Sequence, residues 1–237
     1  MDNGKIIIYD GSFNGFLTVV YKAFDEKTQV ADIQKSGKTQ RGLFTVTKTV
    51  FTQMDKAKKV WNGIQKKNNS AIENIYFAFL SESVGIELLL YRYIKKLFSP
   101  NDPFHLNFTN ETEVRLGLLA KSVRKEKRRM ETSVGFQLTQ DDIHFANITP
   151  EYDVLPLISK YFRDRYSNQQ WLIYDSKRNY GLYYNQQSTE IISLDMGGIS
   201  LNDPQAKTDI KIRINTKLHK QPRVEKPMKY PIQNRAV

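Results

Sequence analysis

Cysteine is absent from this chain of 237 residues, and its absence excludes several kinds of site. Disulfides, thiolate zinc sites and cysteine-ligated iron–sulfur clusters all require cysteine. The three histidines, His105, His144 and His219, are far apart in the sequence and do not indicate a metal site. The residue patterns therefore predict no metal and no cofactor.

Long apolar runs are also missing. No segment approaches the roughly 20 apolar residues that a membrane-spanning helix needs. The first residues, MDNGKIIIYD, do not have the basic and then apolar pattern of a secretion signal. We therefore expect a cytoplasmic protein with no membrane partner, and the hydrophobic fraction of 40% is sufficient for a packed core.

Motifs of common catalytic classes are absent as well. The chain has no glycine-rich phosphate loop, no HExxH zinc motif, no GxSxG nucleophile turn and no zinc-deaminase signature. The sequence alone therefore does not indicate a reaction.

Positive charge is what the chain has in excess, and it is concentrated. The net charge is +11, of which residues 121–129 carry +5 and residues 203–237 carry +6. The rest of the chain is electrically balanced. Localised positive charge indicates a polyanionic partner more strongly than a uniformly basic surface does, so DNA is a predicted partner.

The order of periodic segments predicts an α+β fold. A β-branched strand at 5–9 is followed by helical patterns, and residues from 133 onward are mostly strand-like with one inserted helix. We expect a single domain, residues 1–200, in which a helical layer packs on a mostly antiparallel mixed sheet that includes the first strand. Residues 201–237 are predicted to form a basic, proline-containing tail, extended or partly disordered. The first predicted helix begins near Ser12 and the last begins at residue 150. The helices between them are predicted at 45–67, 71–80, 83–98 and 112–130. The later strands are predicted at 134–138, 143–148, 170–174, 180–184 and 190–194.

The predicted helix at 112–130 has two contrasting sides. Its apolar residues Leu116, Leu119, Val123 and Met130 fall on one side. The other side is either a solvated exterior or a surface that contacts phosphates. It carries Lys121, Arg124, Lys125, Arg128 and Arg129.

Asp10, Asp164, Asp175 and Arg178 are the polar residues that are candidates for chemistry. Asp175 stands where a strand ends, which is typical of a turn residue paired locally with Arg178. Alternatively, the pair could form a functional site, because aromatic rings beside cations can stack unpaired bases. The flanking rings are Tyr174, Tyr180, Tyr183 and Tyr184.

Two blocks carry a family resemblance. YDGSFNGFLTVVYKAF at 9–24 and YDVLPLISKYFRDRYSNQQWLIYDSKRNYGLYY at 152–184 resemble a bacterial family called "probable DNA metabolism proteins", a domain of unknown function. Members of this family are typically encoded beside a radical-SAM protein that is proposed to repair or modify DNA. The resemblance therefore implies a role in DNA metabolism together with such a protein. Longer members carry a uracil-DNA-glycosylase-like domain, for which this chain is too short. The family pattern falls on Tyr9, Asp10, Gly11, Phe13, Gly15, Phe16, Trp171, Asp175, Arg178, Tyr180 and Gly181.

The chain departs from the family pattern at two positions. Arg128 stands where the family usually has His, and Gly135 stands where it usually has Arg. A family reaction that used this His would be lost or altered here.

Three hypotheses follow. The first is an accessory DNA-repair or DNA-modification protein that acts with a radical-SAM partner. It would bind nucleic acid through the basic helix, and possibly through the tail, and Asp10, Asp175 and Arg178 would line one site. The second is a glycosylase-like or nuclease-like enzyme using Asp10 and Asp175. The third is a protein-interaction module that does not bind DNA.

Overall fold

The computed structural model describes residues 4–37, 46–98 and 110–193. Within them lie helices α1 Phe13–Asp25, α2 Met54–Lys67, α3 Asn69–Phe79, α4 Ile86–Phe98, α5 Asn110–Ser133 and α6 Leu155–Arg165. The strands are β1 Lys5–Tyr9, β2 Val30–Lys35, β3 Thr47–Thr49, β4 Gln137–Leu138, β5 His144–Ile148, β6 Trp171–Asp175, β7 Tyr180–Tyr184 and β8 Thr189–Ile192. The predicted tail at 201–237 lies outside the described residues, as do His105 and His219.

The α+β class is confirmed, but the strands form two sheets instead of one. The first sheet has the order β2-β1-β3 and is parallel, and the second has the order β4-β5-β6-β7-β8. The prediction that the first strand joins the later sheet is therefore wrong. β1 pairs with two strands that were not predicted. β2 has a single buried residue, Ile33. β3 is three residues long and lies within the segment 45–67 that was predicted to be helical, so that prediction is wrong for residues 46–53, before α2 begins at Met54.

The chain divides into two compact units, Met1–Arg128 and Arg129–Val237, with α5 crossing the boundary. In the first unit, β1 is the central strand of the parallel sheet, and Ile7 and Tyr9 are buried. α1 follows β1 as the crossover to β2, which is the usual connection between parallel strands. Its first residue, Phe13, packs its ring against Trp61, Tyr76 and Phe79.

In the second unit, α6 connects β5 to β6, which therefore run parallel, and the remaining pairs are antiparallel. The predicted mostly antiparallel mixed sheet is confirmed for these five strands. Trp171 is fully buried, with its ring near those of Phe162 on α6 and Tyr184 on β7. β6 is buried at every residue, as expected for a strand in the middle of a sheet.

No helix among the described residues is long and apolar enough to span a membrane. The domain boundaries 1–200 and 201–237 stay a prediction.

Candidate functional site

The exposed side of α5 carries four cations that form one surface, here called the α5 cationic face. Lys121, Lys125, Arg128 and Arg129 are all exposed. They stand at positions i, i+4, i+7 and i+8, which lie on one side of a helix with 3.6 residues per turn. The buried residues Leu116, Val123 and Met130 lie on the other side. Glu126, the acid within this run, is also buried and does not lie on the cationic face.

Arg124, the fifth predicted cation, has a different environment. Its Nη2 donates a hydrogen bond to Asn74 Oδ1 at 2.8 Å and lies 3.2 Å from Glu73 Oε1. Its guanidinium carbon is 4.7 Å from the centroid of the Phe77 ring. These contacts hold Arg124 against α3, so we assign it a structural role.

Asp175 and Arg178 are brought together at the turn between β6 and β7. Asp175 is completely buried, and its Oδ2 accepts a hydrogen bond of 2.8 Å from Arg178 Nη1. Its Oδ1 accepts from the backbone N–H groups of Lys177 and Arg178 at 2.9 and 3.2 Å. Both carboxylate oxygens are therefore used within the fold, as expected for a turn residue.

Arg178 also ties this turn to the loop after β5. Its Nη1 donates to the carbonyl of Pro150 at 3.2 Å, and its Nη2 donates to the carbonyl of Glu151 at 2.9 Å. The N–H of Ser176 donates to the carbonyl of Ile148 at 3.1 Å. Asp175 and Arg178 thus hold the loop at the carboxyl end of β5.

The flanking tyrosines are used in packing and local hydrogen bonds. Tyr174 and Tyr184 are buried, so their rings do not offer a stacking surface. The hydroxyl of Tyr183 donates to Gln170 Oε1 at 2.6 Å, and that of Tyr180 donates to Asp153 Oδ1. Asp164 is exposed and lies 3.9 Å from Lys160 Nζ.

Asp10 follows β1, the middle strand of the parallel sheet. Its Oδ1 accepts hydrogen bonds from the N–H and hydroxyl of Ser12 at 2.9 and 2.8 Å, and its Oδ2 accepts from Thr52 Oγ1 at 2.5 Å. A Cβ at Gly15 would lie 2.1 Å from Asp10 Oδ1, so this arrangement requires glycine there. Ser12 in turn caps α1 by accepting from the N–H of Gly15.

The predicted catalytic residues fall in different units, with Asp10 in the first and the Asp175–Arg178 pair in the second. Their common site stays a prediction. The other family-motif residues have evident packing roles. Gly11 has a φ of +84°, and Gly181 leaves room for the carbonyl of Ile173, which would lie 2.9 Å from a Cβ.

Tyr9 is buried, and its hydroxyl donates to Glu87 Oε1 at 3.1 Å. Burial and the neighbouring negative charge of Glu87 raise the pKa of this phenol well above its usual range. Tyr9 is therefore a neutral hydrogen-bond donor inside the first unit.

A cavity of about 240 Å³ lies in the second unit, where α5 ends and β5 reaches its carboxyl end. No sequence pattern predicted it. Its polar lining is supplied by Arg129, Ser133, Asn147 and Thr149, and Gly135 forms another part of the wall. Asn147 Oδ1 is buried and has no hydrogen-bond partner among the described residues. The one feature of the sequence that could have indicated the cavity is Asn147, an amide within the largely apolar strand β5.

No group of three or more His, Asp or Glu side chains in the described part of the chain could hold a metal ion.

A search of curated proteins found no match. The family model of a domain of unknown function, DUF4130, matches residues 84–230. The match includes α5 and the sequence block 152–184, whereas the block 9–24 precedes it. Because the matched residues are more than half of the chain, the protein belongs to the DUF4130 family.

Proposed function

We propose that this protein is an accessory DNA-repair or DNA-modification protein that binds nucleic acid through the α5 cationic face. The observation that carries the proposal is the exposure of Lys121, Lys125, Arg128 and Arg129 along one side of one helix. A phosphate backbone gains affinity from such a row because each neutralised phosphate releases counterions.

The face has the character of a positioning surface. Lysine and arginine contacts to phosphates hold a nucleic acid without reading its sequence. Glu126, the acid within residues 121–129, is buried away from this face. Binding is therefore expected to depend strongly on salt and weakly on sequence.

The partner assignment comes from the family resemblance. The resemblance implies that family members are typically encoded beside a radical-SAM protein, so we propose that such a protein performs the chemistry and that this chain holds the DNA. Asp175 supports an accessory role, because its carboxylate is buried and fully hydrogen-bonded and is not available to a substrate.

A salt titration tests the DNA interaction. Fluorescence anisotropy with labelled single-stranded and double-stranded oligonucleotides should show binding that weakens linearly on a log–log plot against salt concentration. The triple variant Lys121→Gln/Lys125→Gln/Arg128→Gln should bind more weakly, and its salt slope should fall by up to about 3.

A charge-matched control separates the effect of losing cations from the α5 cationic face from the effect of lowering the net charge of the protein. Lys58, Lys66 and Lys67 are exposed on α2, and changing these three to Gln removes the same charge. This control should bind DNA nearly as well as the wild type. Equal weakening by both triple variants, or the absence of salt-dependent binding by the wild type, would overturn the proposal.

The protein partner is tested separately by co-purification with a radical-SAM protein of the kind that the family resemblance implies, with and without nuclease. Co-purification that survives nuclease, in a protein that binds no DNA, would instead identify an interaction module.

A further inference from the structure

We infer that the cavity at the end of α5 binds one unpaired base of the nucleic acid strand held by the α5 cationic face. This inference rests on the proposed function and extends it from the phosphate backbone to a base. Asn147 would pair with the edge of the base, and Arg129 would contact the phosphate beside it.

Asn147 supplies the first argument. Its side-chain oxygen is buried without a partner among the described residues, although buried acceptors in folded proteins are nearly always hydrogen-bonded. A carboxamide offers an acceptor beside two donors. Base edges present donors next to acceptors, so a base in the cavity can pair with this amide once the side chain of Asn147, which lines the cavity, turns its oxygen from its buried position toward the ligand.

The size of the cavity supplies the second argument. Its volume of about 240 Å³ is below the ~300–1,000 Å³ that is usual for drug-sized ligands. It is suited to a single heterocyclic ring system and too small for a base pair. Proteins that act on individual bases take them out of the helix into pockets and recognise them by edge hydrogen bonds.

Arg129 connects the cavity with the proposed DNA surface. It is one of the four exposed cations of the α5 cationic face, and it also lines the cavity. A strand whose phosphates follow α5 would therefore bring a nucleotide to the cavity. Arginine suits this position because its planar guanidinium can donate two parallel hydrogen bonds to one phosphate.

The part of the cavity wall that is formed by the end of β5 is held in place by the buried ion pair and by Ser176. Ile148 and Thr149 line the cavity, and the carbonyls of Ile148, Pro150 and Glu151 are bound by Ser176 and Arg178. Asp175 holds Arg178 in position. The wall is thus formed before a ligand arrives, which favours selective binding.

Gly135 offers a way to fill the cavity by mutation. No atom lies within 4 Å of a Cβ built at this residue, and its φ is not positive. A leucine can therefore be introduced at this position in the cavity lining without steric conflict, and we expect its bulk to compete with a bound base. Gly117 on α5 is the control for the preference, because a Cβ there also meets open space and Gly117 does not line the cavity. It lies one turn before Lys121 on the same side of the helix, so we expect any effect of a leucine there to be the same for both duplexes.

The test uses the full-length protein and two oligonucleotide duplexes that differ in one feature. One is fully paired and the other has a single bulged 2-aminopurine, whose fluorescence reports on its stacking. The wild type should bind the bulged duplex about tenfold more tightly and change the fluorescence of the bulged base. Gly135→Leu and Asn147→Ala should each reduce this preference to about twofold or less, with little change in binding to the paired duplex. Gly117→Leu should keep the preference.

One further duplex and a free nucleotide identify the source of the affinity. A bulge that lacks its base should bind like the paired duplex, whereas equal preference for it would show that bending, and not the base, is recognised. Binding of a free mononucleotide without preference for the bulged duplex would also overturn the inference.

Failure of the inference can be distinguished from failure of the proposed function. If the paired duplex binds in a salt-dependent way but the bulge does not increase affinity, the cavity is not a base site. The proposed binding of DNA by the α5 cationic face is then still supported. If the paired duplex does not bind at all, both fail. A preference that Gly135→Leu and Asn147→Ala leave intact would place the base elsewhere.

Discussion

Arg178 Nη1 lies 2.8 Å from Asp175 Oδ2 in an ion pair whose aspartate is fully buried and whose arginine side chain is only 10% exposed. The pair closes the β6–β7 turn and binds two carbonyls of the loop after β5. A buried charge that loses its partner is far more costly than a surface one, so this pair should make a large contribution to stability.

Removing one partner is therefore expected to be strongly destabilising. Arg178→Met should lower the free energy of unfolding by about 3–5 kcal/mol, because it leaves the Asp175 carboxylate buried and unpaired. The double variant Asp175→Asn/Arg178→Met should be less destabilised than the sum of the two single variants. Urea denaturation followed by circular dichroism measures both quantities.

The enzyme hypothesis gives the opposite expectation. An Asp175→Asn variant of full stability that has lost an activity on DNA would support a catalytic carboxylate and contradict the structural role.

Gly15 is expected to resist substitution, although it lies within a helix. Glycine to alanine in a helix usually stabilises by about 0.5–1 kcal/mol. Here the new Cβ would lie 2.1 Å from Asp10 Oδ1 and 2.8 Å from Thr52 Oγ1, so Gly15→Ala should destabilise by about 1 kcal/mol or more. Thermal and urea unfolding would measure the change.

Two controls accompany this substitution. Gly117→Ala on α5, where the Cβ meets open space, should be stabilising. In an Asp10→Ala background, Gly15→Ala should cost less than in the wild type. An equal cost in both backgrounds would show that the carboxylate of Asp10 is not the obstacle.

Arg124 and Lys121 should show opposite phenotypes, although both were predicted to contact DNA. Arg124→Gln should destabilise by about 1–2 kcal/mol, because it loses its contacts with Asn74 and the Phe77 ring, and its direct effect on DNA binding should be small. Lys121→Gln should change stability by less than about 0.5 kcal/mol and weaken DNA binding. Urea denaturation and anisotropy on the same samples would separate the two, and identical behaviour would contradict the assignment.

Tyr9 should make stability fall at alkaline pH. Burial and Glu87 raise the pKa of the folded phenol above its ordinary value of about 10. Below this ordinary value the stabilising contribution is complete. As the pH rises above it, the unfolded chain loses a proton that the folded chain keeps, so stability falls by up to about 1.4 kcal/mol per pH unit.

Tyr9→Phe should reduce this alkaline slope. Burial also raises the pKa values of Tyr91 and Tyr174, so a smaller slope should remain. Unfolding free energies measured from pH 8 to 11 would test the expectation, and the difference at pH 8 gives the cost of the lost hydrogen bond to Glu87. An unchanged slope would show that the phenol of Tyr9 ionises in the folded state as readily as in the unfolded chain.

The helices were largely predictable because their signals are local. Apolar residues at helical spacing predicted α3 at 71–80 and α5 at 112–130, and the structure has Asn69–Phe79 and Asn110–Ser133. The same spacing placed the cations of α5 opposite its buried side. The ion pair of Asp175 and Arg178 could also be predicted from the sequence, since a turn residue and a partner three positions later are close in any tight turn.

The amino-acid sequence by itself determined the α+β class, the sides of α5 and the excess charge, because each depends on residues within a few turns of one another. The sheet that β1 joins, the engagement of Arg124 with α3, and the cavity beside Asn147 depend on segments distant in the chain. Strand pairing and burial are set by whichever distant partner covers the most apolar surface and satisfies the most polar groups. Periodicity along one segment does not contain that information.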